Sequence, residues 1–206
     1  MTDAPPSQRL RQVWLDALLP NVPFDGWTDA AARSAAQTAG LSAGEQALAA
    51  PGGVRDLVEA FFESAEAEAR VQLAATDLSS LGVRDKIKTA LILWLGALAP
   101  HKEAVRRAAG RGLLPWAAGD ALERTWSVAD MAWTGIGDTS DDYNRYSKRG
   151  LLASTVPLIV LRWLDEDDPD AMDAYISRRL TQAMQLGQAG GRVAGPLLSA
   201  LERLRR

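Results

Sequence analysis

Residues 54–78 read VRDLVEAFFESAEAEARVQLAATDL and residues 83–98 read VRDKIKTALILWLGAL. In the first stretch Val54, Leu57, Val58, Phe61, Phe62 and Ala65 recur at three- and four-residue spacing, which gathers them on one side of a helix and leaves the other side acidic. In the second, Val83, Ile87, Leu91, Trp94, Leu95 and Leu98 form the stripe, and Ile92 and Leu93 widen it until little polar surface remains. A helix of that kind must be covered on most sides. Neither stretch alternates with a period of two, and both outrun ordinary strands. With Leu and Ala abundant and β-branched residues sparse, they decide an all-α class.

Working upstream, Leu10, Val13, Trp14, Ala17 and Leu18 predict a helix that stops at Pro20. Thr28 is the expected N-cap of TDAAARSAAQTA, which ends at Gly40, and Ser42 with Glu45 three residues later predicts a capping box on a short third helix. Pro51, Gly52 and Gly53 break the chain before the long helix. Downstream, helices are expected around Lys102–Ala109, Ala117–Thr134, Asp141–Leu164 and Pro169–Gln185, with Thr139 and Asp168 as caps, Pro169 in a first turn and a kink at Pro157. A Gly-rich joint over Gly187–Gly191 then leads to RVAGPLLSALERLRR, an appended amphipathic helix. The expected division is 1–50, 51–186 and 187–206.

At 206 residues, 47% of them hydrophobic, the chain can bury a substantial core without being split into independent domains. A net charge of −3 disfavours a protein whose main task is to neutralise phosphates. The absence of cysteine excludes disulfides, thiolate nucleophiles and zinc–thiolate sites. The longest apolar run, Thr89–Pro100, falls short of the ~18–20 residues a spanning helix needs. MTDAPPSQRLRQVW has no basic segment followed by an apolar one, so no secretory signal is expected there.

Catalytic chemistry has few candidates. His101 is the single histidine, in the turn APHKEAVRR, where a solvated or helix-capping role is expected. A di-iron bundle built on two Glu-x-x-His motifs needs two histidines and is excluded. The acids at Asp165–Asp168 and Asp141–Asp142 sit where carboxylates complement helix N-termini. Gly135 and Gly137 lack the preceding strand and following lysine of a phosphate loop. Five of the seven tryptophans, Trp94, Trp116, Trp126, Trp133 and Trp163, fall on helices with few polar interruptions, either as plain core or as the lining of an apolar tunnel. In the tail, Leu197, Leu198, Leu201 and Leu204 share a face flanked by Arg192, Arg203, Arg205 and Arg206, a pattern open to membrane docking, partner docking or closure of the bundle.

Two resemblances add to this reading. AAQTAGLS, the short helix after it and PGGVRDLVEAFF resemble the helix-turn-helix of tetracycline-repressor-family regulators. Yet the helix that would read DNA, SAGEQALAA, has no Arg, Lys or Asn, and residues 1–50 hold three basic side chains against five acidic ones. A regulator with an apolar effector is the rival expectation, and it requires a basic recognition face. The second resemblance is wider: LPNVPFDGW, VRDKIKTALILWLGALAPHKEAVRRAA, LPWAAGDALERTWSVADMAW and GDTSDDYNRYSKRGLLAS, in order across roughly residues 10–185, are similar to the ubiquinone-biosynthesis accessory proteins typified by mitochondrial coenzyme-Q proteins.

That resemblance implies a non-catalytic protein with a tetracycline-repressor-like helical bundle, no cofactor and no nucleic acid partner. It implies a chamber for an isoprenoid quinone or other lipid, for which the expected lining is Ile87, Leu91, Trp94, Leu95, Leu98, Leu113, Trp116, Trp126, Met131, Leu152 and Val156. It also implies a homodimer and a partner, the di-iron demethoxyubiquinone hydroxylase, facing Asp142, Arg145, Tyr146 and Arg149. Where the family has a tryptophan before the tyrosine, this chain has Arg145. Membrane contact is expected through Leu197, Leu198, Leu201, Leu204, Arg203, Arg205 and Arg206, in a cytoplasmic protein peripheral on the inner membrane.

Overall fold

The computed structural model describes residues 4–110, 121–140 and 143–204, with side chains described outside 121–124, 143–144 and 187–204. Among the described residues there are helices and no strand, as the two stripes require. In chain order they are α1 (Pro6–Leu18), α2 (Val22–Asp25), α3 (Asp29–Thr38), α4 (Ala43–Ala49), α5 (Val54–Ala75) and α6 (Val83–Leu98). A single 3-10 turn, Ala99–His101, leads into α7 (Lys102–Gly110), followed by α8 (Ala121–Gly135), α9 (Tyr143–Asp165) and α10 (Pro169–Leu204). They gather into two compact units, Met1–Gln72 with Leu93–Arg124 and Leu73–Ile92 with Thr125–Arg206, so α5 and α6 each contribute to both.

In the first unit, local rules set the helix ends. The Thr28 hydroxyl accepts from the Ala31 N–H at 3.0 Å. Ser42 and Glu45 close the expected capping box, with the Glu45 carboxylate accepting from the Ser42 N–H at 2.8 Å. Hydrogen bonds from the Ser42 side chain and backbone hold the Glu45 carboxyl below its ordinary value. Helix α3 ends where Gly40 turns to φ +69, with the Leu41 N–H donating to Ala36 and the Gly40 N–H to Gln37. That is the Schellman arrangement, which needs a residue free to adopt positive φ.

Two indoles tie the unit together: the Trp14 N–H donates to the Ala32 carbonyl at 2.8 Å and the Trp27 N–H to the Ala104 carbonyl at 2.9 Å. Helix α2 is a single turn that periodicity did not predict, because Pro20 and Pro23 make NVPFDG read as loop. Long-range contacts hold this region instead, Arg107 donating to the Pro23 carbonyl and Trp27 anchoring the chain just beyond the turn. Four helices therefore precede residue 50, where three were expected.

In the second unit α9 and α10 pack along one another. Leu152, Val156, Ile159, Val160 and Trp163 of α9 and Met172, Ile176, Leu180 and Ala183 of α10 are buried. Asp168 caps α10 by accepting from the Asp170 N–H at 3.0 Å, with Pro169 in the first turn where its missing N–H costs nothing. Lys88 of α6 pairs with Asp173 of α10 at 2.9 Å. Helix α9 runs through Pro157, and the backbone of α10 stays helical through Gly187–Gly191, where a joint was expected.

Candidate functional site

The second unit holds a cavity of about 620 Å³. Its wall begins with Val83, Arg84, Lys86 and Ile87 in the first turns of α6, and continues through Trp133, Ile136, Gly137 and Asp138 at the end of α8. Ser147, Lys148, Leu151 and Leu152 of α9 and Leu180, Ala183 and Met184 of α10 complete it. Ile87, Leu152, Leu180 and Ala183 are buried, whereas Val83 and Met184 are about half exposed, so the pocket has an aliphatic floor and a mouth that meets water. Charge is confined to Arg84, Lys86, Asp138 and Lys148. An apolar pocket with a few polar groups is the usual construction of a small-molecule site.

The end of α8 explains how the polar wall is placed. Gly137 sits at φ +85, its N–H donating to Thr134 while the Asp138 N–H donates to Trp133, a second Schellman turn. This turn aims Asp138 at α9. There its Oδ1 accepts from Lys148 Nζ at 3.2 Å and from the Ser140 hydroxyl at 2.8 Å, and its Oδ2 accepts from Arg149 at 3.1 Å. Burial pushes the Asp138 carboxyl up, but the hydrogen bonds from Ser140, Lys148 and Arg149 and the Lys148 charge outweigh it, so it stays below its ordinary value and ionised. Gly137 thus acts as a helix terminator in a side-chain network, which is why GIGDTS is not a phosphate loop.

Arg149 is only 1% exposed. Its guanidinium donates to Asp130 Oδ1 at 2.6 Å, Asp138 Oδ2 at 3.1 Å and Thr134 Oγ1 at 3.3 Å, clamping α9 to α8. Lys148 lies over the Trp133 ring at 5.2 Å. The Trp133 indole N–H, by contrast, is buried without an acceptor among the described residues, as is that of Trp94.

Among the residues expected to line a chamber, Ile87 and Leu152 line this cavity. Leu91, Met131 and Val156 are buried in the same unit without lining it, and Trp126 packs its ring against Tyr146 at 5.9 Å. Trp94, Leu95 and Leu98 belong to the first unit, while Leu113 and Trp116 lie outside the described residues. Of the expected partner surface, Tyr146 is exposed and Arg145 is half exposed beside Asp130 at 3.5 Å, and Asp142 lies outside the described residues. Arg149 needs correcting: a guanidinium occupied by two carboxylates and a hydroxyl inside the unit is not presented to a partner.

Leu197, Leu198, Leu201, Arg203 and Leu204 fall in the part of α10 described by backbone alone, and Arg205 and Arg206 lie outside the described residues. The cavity's polar members Trp133, Asp138 and Lys148 were not anticipated as lining. The available signal was Trp133 and Asp138 flanking a C-terminal glycine, with Lys148 two turns before Pro157.

Helix α4 carries no lysine or arginine, and Arg11, one of the few cations near it, is spent on the Ala49 carbonyl at 2.7 Å. Among the described residues no helix is long and apolar enough to cross a membrane, and no cluster of acids and histidine is suited to a metal ion.

Residues 118–187 match the model of the COQ9 family. Beyond that segment the chain is similar to the mitochondrial ubiquinone biosynthesis protein COQ9 of Homo sapiens, 28% identical over 194 residues, covering 90% of this chain and 61% of the relative. The Rattus norvegicus protein is 30% identical over 188 residues, covering 87% and 60%, and that of Bos taurus 29% over 195 residues, covering 90% and 61%. The chain spans about three fifths of the length of these relatives. Eleven of the fifteen cavity-lining residues, all those from α8, the turn after it, α9 and α10, fall within 118–187. The chain thus carries a COQ9-family domain over residues 118–187 and is similar to COQ9 proteins along most of its length.

Proposed function

We propose that this protein is a lipid-binding accessory factor of ubiquinone biosynthesis that performs no chemistry itself. It holds an isoprenoid quinone intermediate, or a lipid of similar build, in the cavity of the second unit and presents it to the di-iron demethoxyubiquinone hydroxylase. The observation that carries the reading is the cavity, with its buried aliphatic floor, its charge confined to four side chains and most of its lining inside the family's domain. The names of the relatives supply the pathway. A polyprenyl chain gains about 0.8 kcal/mol for each CH₂ removed from water, so an aliphatic floor of this kind is where such a ligand recovers its binding energy.

The remaining parts of the proposal follow the resemblance. The hydroxylase meets the start of α9 around Asp142, Arg145 and Tyr146, where the exposed Tyr146 and half-exposed Arg145 support an accessible surface. The end of α10, with Leu197, Leu198, Leu201, Leu204, Arg203, Arg205 and Arg206, rests on the inner membrane, and two copies pair as a homodimer in the cytoplasm. Nucleic acid is not a partner in this reading, which the unbasic α4 supports.

The test is native mass spectrometry, with lipid extraction, on protein purified gently from a ubiquinone-producing host. An isoprenoid quinone or comparably long-tailed lipid retained in stoichiometric amount is the expected result. A protein that carries no such lipid, and takes none up from added quinone, overturns the reading.

A further inference from the structure

The charges around the cavity are not balanced. Three cations, Arg84, Lys86 and Lys148, line it against one carboxylate, Asp138, in a chain whose net charge is −3. Asp138 is already saturated: Lys148 and Ser140 occupy one oxygen and Arg149 the other. Arg84 is partly engaged by its neighbour Asp85 at 3.3 Å on the exposed side of α6. Lys86 differs from both, being half-buried and lacking an ion-pair partner among the described residues, next in sequence to the buried floor residue Ile87 and in the same wall. A partly desolvated ammonium beside an aliphatic pocket is costly to leave uncompensated, and an anion supplied by the ligand compensates it.

We infer that the cavity selects amphiphiles with an anionic head, the apolar chain lying on the Ile87–Leu152–Leu180 floor and a carboxylate or phosphate bound by Lys86 at the mouth. This rests on the cavity being a lipid site and narrows the proposed ligand from a neutral quinone to the alternative of a lipid of similar build, one that carries an anionic head. Asp138, with both oxygens already occupied, leaves Lys86 as the unengaged cation on the opposite wall. Lys148 stays with Asp138 and the Trp133 ring, contributing field more than direct contact.

Three probes with one chain length separate the contributions: dodecanol, dodecanoate and dodecyl phosphate, titrated calorimetrically, the alcohol below its solubility limit and the two anions below their micellar concentrations, into the full chain, into Lys86→Gln and into Lys86→Arg. The wild-type protein is expected to bind at least one anionic probe about tenfold or more tightly than the alcohol, the size of a charge-assisted hydrogen bond. Lys86→Gln then brings the anion down to the alcohol's affinity, Lys86→Arg keeps the preference, and dodecanol binds all three proteins alike, which also shows the pocket intact. The better anion tells whether a carboxylate or a phosphate head is meant.

If dodecanol binds as tightly as both anions, the inference fails while the lipid site stands. If Lys86→Gln keeps the preference, or weakens alcohol and anions equally, Lys86 is not the head-group contact and the inference again fails. If no probe binds any of the proteins, the lipid site itself fails, and the anion preference with it.

Discussion

Replacing Arg149 with methionine tests whether this residue is an internal clamp or a docking contact. Methionine approximates the length of the side chain and removes its charge, leaving Asp138 and Asp130 without the guanidinium that bridges them at 3.1 and 2.6 Å. Removing one member of a buried ion pair costs about 3–5 kcal/mol. Here the lower end applies, because Asp130 is 36% exposed and water screens it, and because Asp138 keeps Lys148 and Ser140. A loss of about 3 kcal/mol, at an m-value of about 2–3 kcal/mol/M, lowers the urea midpoint by about 1 M.

The acid side gives a second readout. Because the folded Asp138 lies below its ordinary value of 3.8, its contribution is fully present above that pH and is lost as pH falls through the folded-state value. Without Arg149 the upward push of burial gains on the remaining contacts, so the Asp138 contribution shrinks and the acid-side decline is shallower. Urea melts from pH 7 to pH 3 on wild type, Arg149→Met, Asp138→Asn and the double variant measure both effects. Additive losses, or a single-variant loss under about 1 kcal/mol, refute the clamp and return Arg149 to the surface.

The two kinds of tryptophan make a pair of contrasting predictions. Trp133→Phe removes an indole N–H that has no acceptor, so its stability loss stays below about 1 kcal/mol, whereas Trp27→Phe breaks the bond to the Ala104 carbonyl and loosens a ring packed against Phe61, costing about 2 kcal/mol or more by urea melt. A methyl group on Gly135 would sit 2.3 Å from Leu73 Cδ2, a buried side chain, so Gly135→Ala destabilises by about 1–2 kcal/mol despite alanine's better helix propensity; a gain in thermal midpoint contradicts this. Ser42→Ala opens the capping box and costs about 1 kcal/mol, with the Glu45 carboxyl rising toward its ordinary value in an NMR titration.

What the sequence made legible was whatever is decided within a turn or two. Thr28, the Ser42–Glu45 pair, the Asp168–Pro169 start and the stripes of α5 and α6 depend on neighbours three or four residues away, and they are in place except at Val83 and Ile92 of α6, which are 51% and 40% exposed. What it hid was decided across elements. Arg149 reads as a surface cation in YNRYSKRG because its three acceptors, Asp130, Thr134 and Asp138, come from another helix and the turn after it. Helix α2 is masked by two prolines and held by residues more than seventy positions away. The cavity was half legible for the same reason: Ile87 and Leu152 follow from apolar stripes, but stripes alone do not separate a side chain that lines a void from one such as Leu91 or Met131 that fills the core.

The turn after α8 links these two levels. Gly137 allows a left-handed residue, which brings Asp138 round to face α9, which in turn commits Lys148 and Arg149 to one carboxylate. A cavity wall that would otherwise expose several mobile cations is thereby reduced to one uncommitted ammonium, Lys86, on the opposite helix. Any side chain at position 137 that cannot hold positive φ disturbs the Asp138 network before it disturbs the floor. A Gly137→Val protein should therefore free Lys148 from Asp138 and widen the discrimination between dodecanoate and dodecanol while still binding the alcohol. Equal weakening of both probes would mean that the turn supports the pocket as a whole and has no separate bearing on its charge.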